Sequence, residues 1–249
     1  MKKKLKSNIK IAAWSGPRNI STALMRSFGS RTDTFVSDEP LYAYYLITNK
    51  INHPMKNTII NNMEINLSKI ITYLINDIPN EKSIWYQKHM AHHLPLNSNL
   101  DWIKNFLNIL LIRNPNDVIL SYIKKNNLNN IFQLGLPQQK KILLFLKKNN
   151  IDYFIINTNE LLKNPKQILF QLCNKIGVPF TEKMLTWEKG PKNYDGIWGE
   201  YWYKNMYNST EFKKNKEKTT NIKIPKTYLP IYNQAIEYYN FLKEDKNEK

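Results

Sequence analysis

A short apolar run that leads through a tight turn into a helical pattern, at residues 9–29, constrains the fold more than any other stretch of this sequence. Residues 11–14 are all apolar, which predicts a buried strand of a parallel sheet. Ser15-Gly16-Pro17 interrupts that strand, and from Asn19 onward apolar residues recur every three or four positions until Gly29. The stretch therefore predicts a strand, a turn and a helix in succession.

The turn between this strand and this helix has the composition of an anion-binding site. Backbone N–H groups at a helix start are free, and the helix dipole favours a negative charge there. Arg18 adds a cation to the turn, and Ser21 and Thr22 add hydroxyls. No Gly-Lys-Ser/Thr follows Gly16 at the spacing of a Walker A loop. An ordinary strand-to-helix turn is the alternative, and this stretch alone leaves both interpretations open.

Strands and helices alternate along the rest of the chain. Apolar runs predict further strands at 34–36, 83–87, 108–112 and 151–156, and helical spacing predicts helices at 40–46, 63–78, 101–106, 115–123, 137–148, 165–176 and 228–242. Residues 49–62 are polar and contain Pro54, which predicts a loop or lid, and residues 88–95 are also predicted to be a loop. The alternation predicts an α/β fold with a parallel sheet of about five strands, covered on both faces by helices. We expect one domain over residues 1–249.

The formal net charge of +17 arises from 37 Lys and Arg residues against 20 Asp and Glu residues. These cations are spread along the chain, with local clusters at residues 2–4 and 213–216. A nucleic-acid groove would need them gathered on one face beside aromatic platforms. We therefore do not expect nucleic acid as a partner, and we expect a generally cationic surface that attracts anions.

Cysteine and histidine usage argues against a disulfide and a metal site. The single cysteine, Cys173, excludes an intramolecular disulfide. His92 and His93 are adjacent, which is not a usual zinc-ligand spacing, and no Cys or Asp accompanies them. No window approaches the ~20 apolar residues of a membrane span, and the basic N-terminus lacks the apolar segment of a secretory signal. We expect a soluble, cytoplasmic protein without a metal; its oligomeric state is left open.

Several charged residues follow predicted strands closely. In a parallel sheet of this kind, ligands bind at the carboxyl ends of the strands, near the point where the strand order reverses. The residues placed around that crevice are Arg18, Glu39, Lys88, His89 and Arg113. Two or three cations beside two potential bases indicate the transfer of an anionic group from a nucleotide-like donor.

The segment Trp-Ser-Gly-Pro-Arg-Asn-Ile-Ser-Thr at residues 14–22 resembles the first loop of the sulfotransferases, and most closely that of bacterial sulfotransferase-like proteins. The resemblance implies a three-layer P-loop NTPase-like fold and 3′-phosphoadenosine 5′-phosphosulfate as the donor. It also implies that this loop wraps the 5′-phosphosulfate, through Pro17, Arg18, Asn19, Ile20, Ser21 and Thr22. Ile20 stands where the family usually has Gly, and Gly16 is the alternative flexible point.

A second block, residues 113–121, resembles the same family more specifically. The family pattern implies that Arg113 at a strand end, and Ser121 eight positions later, bind the donor's 3′-phosphate. Ser121 lies about two helical turns further on, at ~1.5 Å per residue, so it can reach back toward a phosphate at the helix start. A guanidinium and a hydroxyl together bind a phosphate in a defined orientation, through charge-assisted hydrogen bonds. The alternative is a salt-bridged Arg113 and a solvated Ser121.

A third block, residues 159–180, also resembles the family, and we interpret it as part of the structural scaffold.

Sulfuryl transfer needs a base for the acceptor's proton and cations for the departing phosphate. Glu39, followed by Pro40, resembles the Glu-Pro segment that carries the base in many carbohydrate-type sulfotransferases. His89 is the other candidate, because Lys88-His89 with the later His-Leu-Pro loosely resembles a segment of the cytosolic enzymes. We favour Glu39. Lys88 and Arg18 would stabilise charge on the sulfuryl group and the leaving phosphate.

The sequence leaves three functions open. The first is a sulfotransferase acting on a small acceptor that the sequence does not identify; the others are a P-loop kinase or NTPase, and a non-catalytic cationic module that binds nucleotide or nucleic acid. Residues 189–202 are rich in Gly and aromatic residues, which fits either a segment that closes over the donor or an aromatic satellite core.

Overall fold

The computed structural model describes residues 8–213 and 223–247, and its centre is a five-stranded sheet. All neighbouring strands are parallel, in the order β2-β3-β1-β4-β5. The strands are β1 (Ile9–Ser15), β2 (Thr34–Asp38), β3 (Ile84–Met90), β4 (Leu107–Ile112) and β5 (Tyr153–Asn157). The predicted α/β fold with about five parallel strands is confirmed. The basic N-terminal cluster and most of the 213–216 cluster lie outside the described residues.

α-Helices lie between most consecutive strands and after β5. They are α1 (Ser21–Gly29), α2 (Tyr42–Thr48), α3 (Lys56–Asn62), α4 (Leu67–Ile75), α5 (Pro115–Tyr122), α6 (Leu136–Lys148), α7 (Thr158–Lys163), α8 (Pro165–Lys175), α9 (Gly199–Trp202), α10 (Lys204–Tyr207) and α11 (Leu229–Asn247). Within residues 8–213 and 223–247, no helix is both long and apolar enough to cross a membrane.

An apolar core lies on each face of the sheet, because successive side chains of a strand point to opposite faces. In β1, Ile11 and Ala13 belong to one core, while Ala12 and Trp14 belong to the other. Helices α1 and α8 contribute side chains to the first core, and α6 and α11 contribute to the second. The result is the three-layer arrangement expected for the fold, with the carboxyl ends of the strands at one edge.

Several predicted element boundaries were wrong. Helix α3 lies inside the segment predicted as a loop or lid. Helix α4 begins at Leu67 instead of residue 63, because the Asn66 side chain accepts a hydrogen bond from the Lys69 N–H and caps the helix. Pro40 precedes α2 instead of opening it. Residues Asp101–Asn105 form a short 3-10 helix.

The predicted loop at residues 88–95 was also wrong in its first part, because β3 continues to Met90. Lys88 pairs with Ala13 of β1, and His89 pairs with Trp14. Polar residues at the end of a central strand gave no strand pattern, and only pairing with neighbouring strands, with β1 as far as Met90 and with β2 as far as Lys88, defines the extension. Consequently Lys88 and His89 point to opposite faces of the sheet.

Candidate active site

A crevice of about 1390 Å³ opens at the carboxyl ends of the strands. Four of the five charged or basic residues predicted there line it: Arg18, Glu39, Lys88 and Arg113. The fifth, His89, does not. The 17–22 turn and Ser121 also face this space, as do residues from the segment 202–213.

The 17–22 turn holds its backbone in an uncommon conformation. Arg18 and Ile20 both have left-handed φ angles, 63° and 51°. A branched residue such as Ile rarely adopts this conformation, which costs of order 1–3 kcal/mol and is concentrated at functional sites. Ile20 therefore takes the backbone shape for which glycine is suited, and α1 starts directly after it with no side-chain cap.

Gly16 has a packing role instead of the flexible role expected from the sequence. A Cβ at this position would lie 2.1 Å from the backbone oxygen of Leu134. The φ angle of Gly16 is not positive. The small residue is needed because the 131–134 segment approaches the turn closely.

Two arginines and a serine meet at one wall of the crevice. Nε of Arg18 donates a 2.7 Å hydrogen bond to Oγ of Ser121, and Nη1 of Arg113 donates a 2.8 Å bond to the Arg18 carbonyl oxygen. The Arg113–Asp117 pair is long, at 3.7 Å, and the buried Nε of Arg113 has no hydrogen-bond partner. Burial lowers the pKa of Arg18 and of Arg113. Both guanidinium groups are partly desolvated and have few hydrogen bonds or opposite charges to offset that cost, so the wall favours an anionic ligand.

A second group of charges surrounds Glu39. Nζ of Lys88 contacts Oδ1 of Asp38 at 2.9 Å and also Oε1 of Glu39, and it lies 2.9 Å from the Tyr203 hydroxyl. The Lys88 side chain is only 1% exposed. Burial would lower the pKa of Lys88, but the charges of Asp38 and Glu39 raise it well above its usual value. Burial raises the pKa of Glu39, and the nearby Lys88 charge opposes that shift. A carboxyl group with a raised pKa is a stronger base than an ordinary one.

Aromatic and imidazole rings form the wall beside Glu39. Nε2 of His93 lies 3.9 Å from Oε2 of Glu39, and the His93 ring stacks on Tyr42 and Tyr45 at 4.8 and 4.6 Å. The Tyr42 hydroxyl is 2.8 Å from Nδ1 of His53.

The imidazoles in this wall are uncharged at neutral pH. Burial lowers the pKa of His92 to about 3, and burial and His92 hold the pKa of His93 well below its usual value. Burial also lowers the pKa of His53. The space next to Glu39 is therefore walled by neutral rings, unlike the wall around Arg113.

His89 lies on the other face of the sheet. Its ring stacks on Trp14 at 4.4 Å and meets Trp102 edge-on at 5.8 Å, and Nε2 is 3.2 Å from Oε1 of Gln87. Burial and the Lys88 charge lower the pKa of His89 to about 3. The structure does not bring this imidazole to the crevice.

The segment 194–203 contributes to both the core and the crevice. Trp198 and Tyr203 belong to the apolar core, and Trp202 and Tyr203 line the crevice. Asp195 forms a 2.7 Å ion pair with the buried Arg26 of α1. The stretch therefore contributes to the core, and its closure over the donor stays a prediction.

Two residues of the Glu39 cluster were not predicted from the sequence. Asp38 directly precedes Glu39 at the end of β2, and its position at a strand end was an available signal. Tyr203 offered no such signal, since 165 positions separate it from its partner Asp38. Across residues 8–213 and 223–247, no group of three or more His, Cys, Asp or Glu side chains is arranged to hold a metal ion.

A doubly covered parallel sheet, with cations and a buried carboxyl group at its carboxyl edge, defines an α/β protein with a candidate anion-binding site. A family model described as "Sulfotransferase domain" matches residues 9–244, and the chain belongs to this family. The family resemblance stated from the sequence is confirmed.

Two solved structures share the fold. The sulfotransferase domain of the Synechococcus PCC 7002 olefin synthase superposes with a TM-score of 0.60 and 18% identity, over 96% of this chain and 98% of that domain. The sulfotransferase domain from the curacin biosynthetic pathway gives 0.56 and 18%, over 90% and 96%. At this identity the likeness concerns the fold alone.

Two curated relatives come from Arabidopsis thaliana. Branched-chain-amino-acid aminotransferase-like proteins 2 and 1 are 32% and 31% identical to this chain over 233 residues. The match covers 94% of this chain but only 41% of each plant protein, so the chain spans less than half of their length.

Proposed function

We propose that this enzyme transfers a sulfuryl group from 3′-phosphoadenosine 5′-phosphosulfate to a hydroxyl or amine of a small acceptor, in the cytoplasm and without a metal. The observation that carries the proposal is the composition of one crevice. Arg18, Arg113 and Ser121 meet at one wall, and Lys88 and Glu39 meet at another.

The donor's two anionic ends match two groups of residues. The 5′-phosphosulfate is assigned to the start of α1, where Gly16, Asn19, Ile20, Ser21 and Thr22 supply backbone N–H groups and hydroxyls and Pro17 shapes the turn. Arg113 and Ser121 are assigned to the 3′-phosphate. The Nε of Arg113, which has no hydrogen-bond partner, supports this assignment, because a phosphate oxygen would complete its hydrogen bonding.

The Glu39 cluster suits the chemical step. The donor supplies an activated sulfuryl group. Glu39 accepts the acceptor's proton as the acceptor oxygen or nitrogen bonds to sulfur, while the bond from sulfur to the 5′-phosphate oxygen breaks. Lys88 and Arg18 neutralise the charge that develops on the transferred group and on the departing phosphate. Neutral rings from Tyr42, His93 and His53 provide a surface for the acceptor beside the base.

The aminotransferase-like names of the plant relatives are not carried over to this chain. The family model that spans residues 9–244 is a sulfotransferase domain, and the matched segment is less than half of those proteins. One domain over residues 1–249 stays a prediction.

The test is calorimetric titration of the purified protein with adenosine 3′,5′-diphosphate, the desulfated donor. We expect saturable binding, weakened when the 3′-phosphate is absent. Failure to bind at millimolar nucleotide would refute the proposal. Turnover with Mg²⁺ and ATP, and none with the sulfated donor, would select a kinase or NTPase. Steeply salt-dependent nucleic-acid binding that survives Arg113→Ala would select the cationic module.

A further inference from the structure

The hydroxyl of Tyr203 lies at the centre of a buried cluster of charged groups. It is 2.8 Å from Oδ2 of Asp38, 2.9 Å from Nζ of Lys88 and 3.4 Å from Oε1 of Glu39. Tyr203 itself is 6% exposed. A phenol ring that served only to fill the core would not need its polar atom at this position.

The phenol can connect the cation to the carboxyl groups. A tyrosine hydroxyl has one proton to donate and accepts hydrogen bonds on the same oxygen. The ammonium group of Lys88 donates to that oxygen, and the phenol proton is donated to Asp38 or Glu39. Lys88 also contacts both carboxyl groups directly, and Tyr203 links all three groups through a single oxygen atom.

The segment that carries Tyr203 is anchored by further hydrogen bonds. The Gly196 N–H donates a 3.1 Å hydrogen bond to Oδ2 of Asp38, and Nε1 of Trp198 donates to the Tyr203 hydroxyl at 3.3 Å. The Tyr203 N–H donates to the Gly199 carbonyl at 2.8 Å. With Asp195 paired to Arg26, the segment 194–203 holds the phenol in a fixed place.

We propose that Tyr203 is a positioning residue of the transfer reaction, which holds Lys88 and Asp38 so that the Glu39 carboxyl group stays where it removes the acceptor's proton. This inference rests on the proposed function in that it takes Glu39 as the base. It adds a residue that lies outside the sequence blocks of the family resemblance, contributed by the segment 194–203.

The titratable groups that face Glu39 come from four directions besides Tyr203. They are Asp38 on β2, Lys88 on β3, Tyr42 on α2 and His93 in the turn after β3. Burial raises the pKa of Glu39, and the hydrogen bond from Tyr203 opposes that rise. Loss of the phenol hydroxyl therefore raises the pKa further, so the carboxyl group stays protonated, and inactive as a base, up to a higher pH.

The test is the pH profile of single-turnover sulfuryl transfer in Tyr203→Phe. We expect the acid limb to move upward by about 0.5–1 pH unit and the maximal rate to fall by roughly tenfold, while donor affinity changes little. Tyr201→Phe is the matched control, because it removes a phenol hydroxyl only two positions away, from a side chain that is 47% exposed. Its profile should match that of the wild type.

If the wild type is active and the acid limb of the Tyr203→Phe profile does not move, the inference is overturned and the proposed function stands. If the wild type transfers no sulfuryl group, the proposed function fails, and a ¹³C-carboxyl NMR titration then decides the inference. The Glu39 signal is assigned by its absence in Glu39→Gln. An equal Glu39 pKa in wild type and Tyr203→Phe overturns the inference, and a raised pKa supports it.

If Tyr203→Phe does not fold, 3-fluorotyrosine is placed at position 203, because its hydroxyl is a stronger hydrogen-bond donor. This change should move the acid limb of the rate profile, or the Glu39 pKa, downward. The absence of a shift overturns the inference.

Discussion

Nε of Arg18 donates a 2.7 Å hydrogen bond to Oγ of Ser121, although 103 positions separate the two residues. The family resemblance assigns them to opposite ends of the donor. A hydroxyl that accepts this bond keeps its own proton free to donate to a phosphate oxygen. The contact therefore orients Ser121 as a donor, and it joins the first loop to the wall assigned to the 3′-phosphate.

Arg113→Ala should weaken the binding of adenosine 3′,5′-diphosphate by about 2–3 kcal/mol, because the variant loses a charge-assisted contact in a partly buried place. Calorimetry measures the loss. The preference over adenosine 5′-phosphosulfate, which lacks the 3′-phosphate, should disappear. Ser121→Ala, which removes only a hydroxyl, should cost about 1 kcal/mol.

Lys104→Ala is the control for charge, since Lys104 pairs with Asp101 outside the crevice. Lys104→Ala should leave the affinities for adenosine 3′,5′-diphosphate and for adenosine 5′-phosphosulfate unchanged. If Arg113→Ala retains full preference for the 3′-phosphorylated nucleotide, the assignment of this wall is wrong.

Glu39→Gln should reduce single-turnover transfer by at least ~100-fold with nucleotide affinity nearly unchanged, because glutamine keeps the size but cannot take a proton. His89→Asn should instead lower stability, since it disrupts a buried ring stacked on Trp14. Single-turnover rates at saturating donor, with urea unfolding of both variants, separate the two effects. Normal turnover in Glu39→Gln together with an inactive, folded His89→Asn would reverse the roles.

Ile20→Gly should be more stable than Ile20→Ala by about 1 kcal/mol, the reverse of the usual order in and around helices. Both variants lack the isoleucine side chain, so their difference isolates the left-handed backbone at φ 51°. Urea unfolding measures it. The matched pair is Thr22→Gly and Thr22→Ala inside α1, where glycine should be the less stable by ~1 kcal/mol. Equal stability of the two Ile20 variants would show that residue 20 is unstrained.

His92 should make the protein less stable in mild acid. Its pKa is lowered by burial to about 3 in the fold from 6.5 in the unfolded chain. Between those values the unfolded state binds the proton and the folded state does not, so stability falls as pH drops below 6.5. From pH 7 to 5, the wild type should lose about 2 kcal/mol relative to His92→Asn, by urea unfolding at both values. Leu96→Ala, an exposed apolar change, should show no such pH dependence. A constant difference for His92→Asn would mean that the imidazole titrates normally.

Local patterns were enough to predict the sheet and most helices. The run at residues 108–112 and the Asn-Pro start of the next helix agree with β4 and α5 because apolar periodicity and capping residues act over a few positions. Polar helices and polar strand ends were missed because they lack these local apolar patterns. Neither α3 nor the end of β3 carries a clear apolar period, and pairing with neighbouring elements defines them.

The sequence by itself determined the α/β fold, the family, and the placement of Arg18, Glu39, Lys88 and Arg113 at one edge, because strand ends follow from the apolar runs. Only the tertiary structure decided which side chains meet there. The extension of β3, paired with β1 beyond His89, turns Lys88 toward the crevice and His89 away from it. The contact of Tyr203 with Asp38 spans 165 positions, and such pairs depend on how the chain packs, which no local pattern encodes.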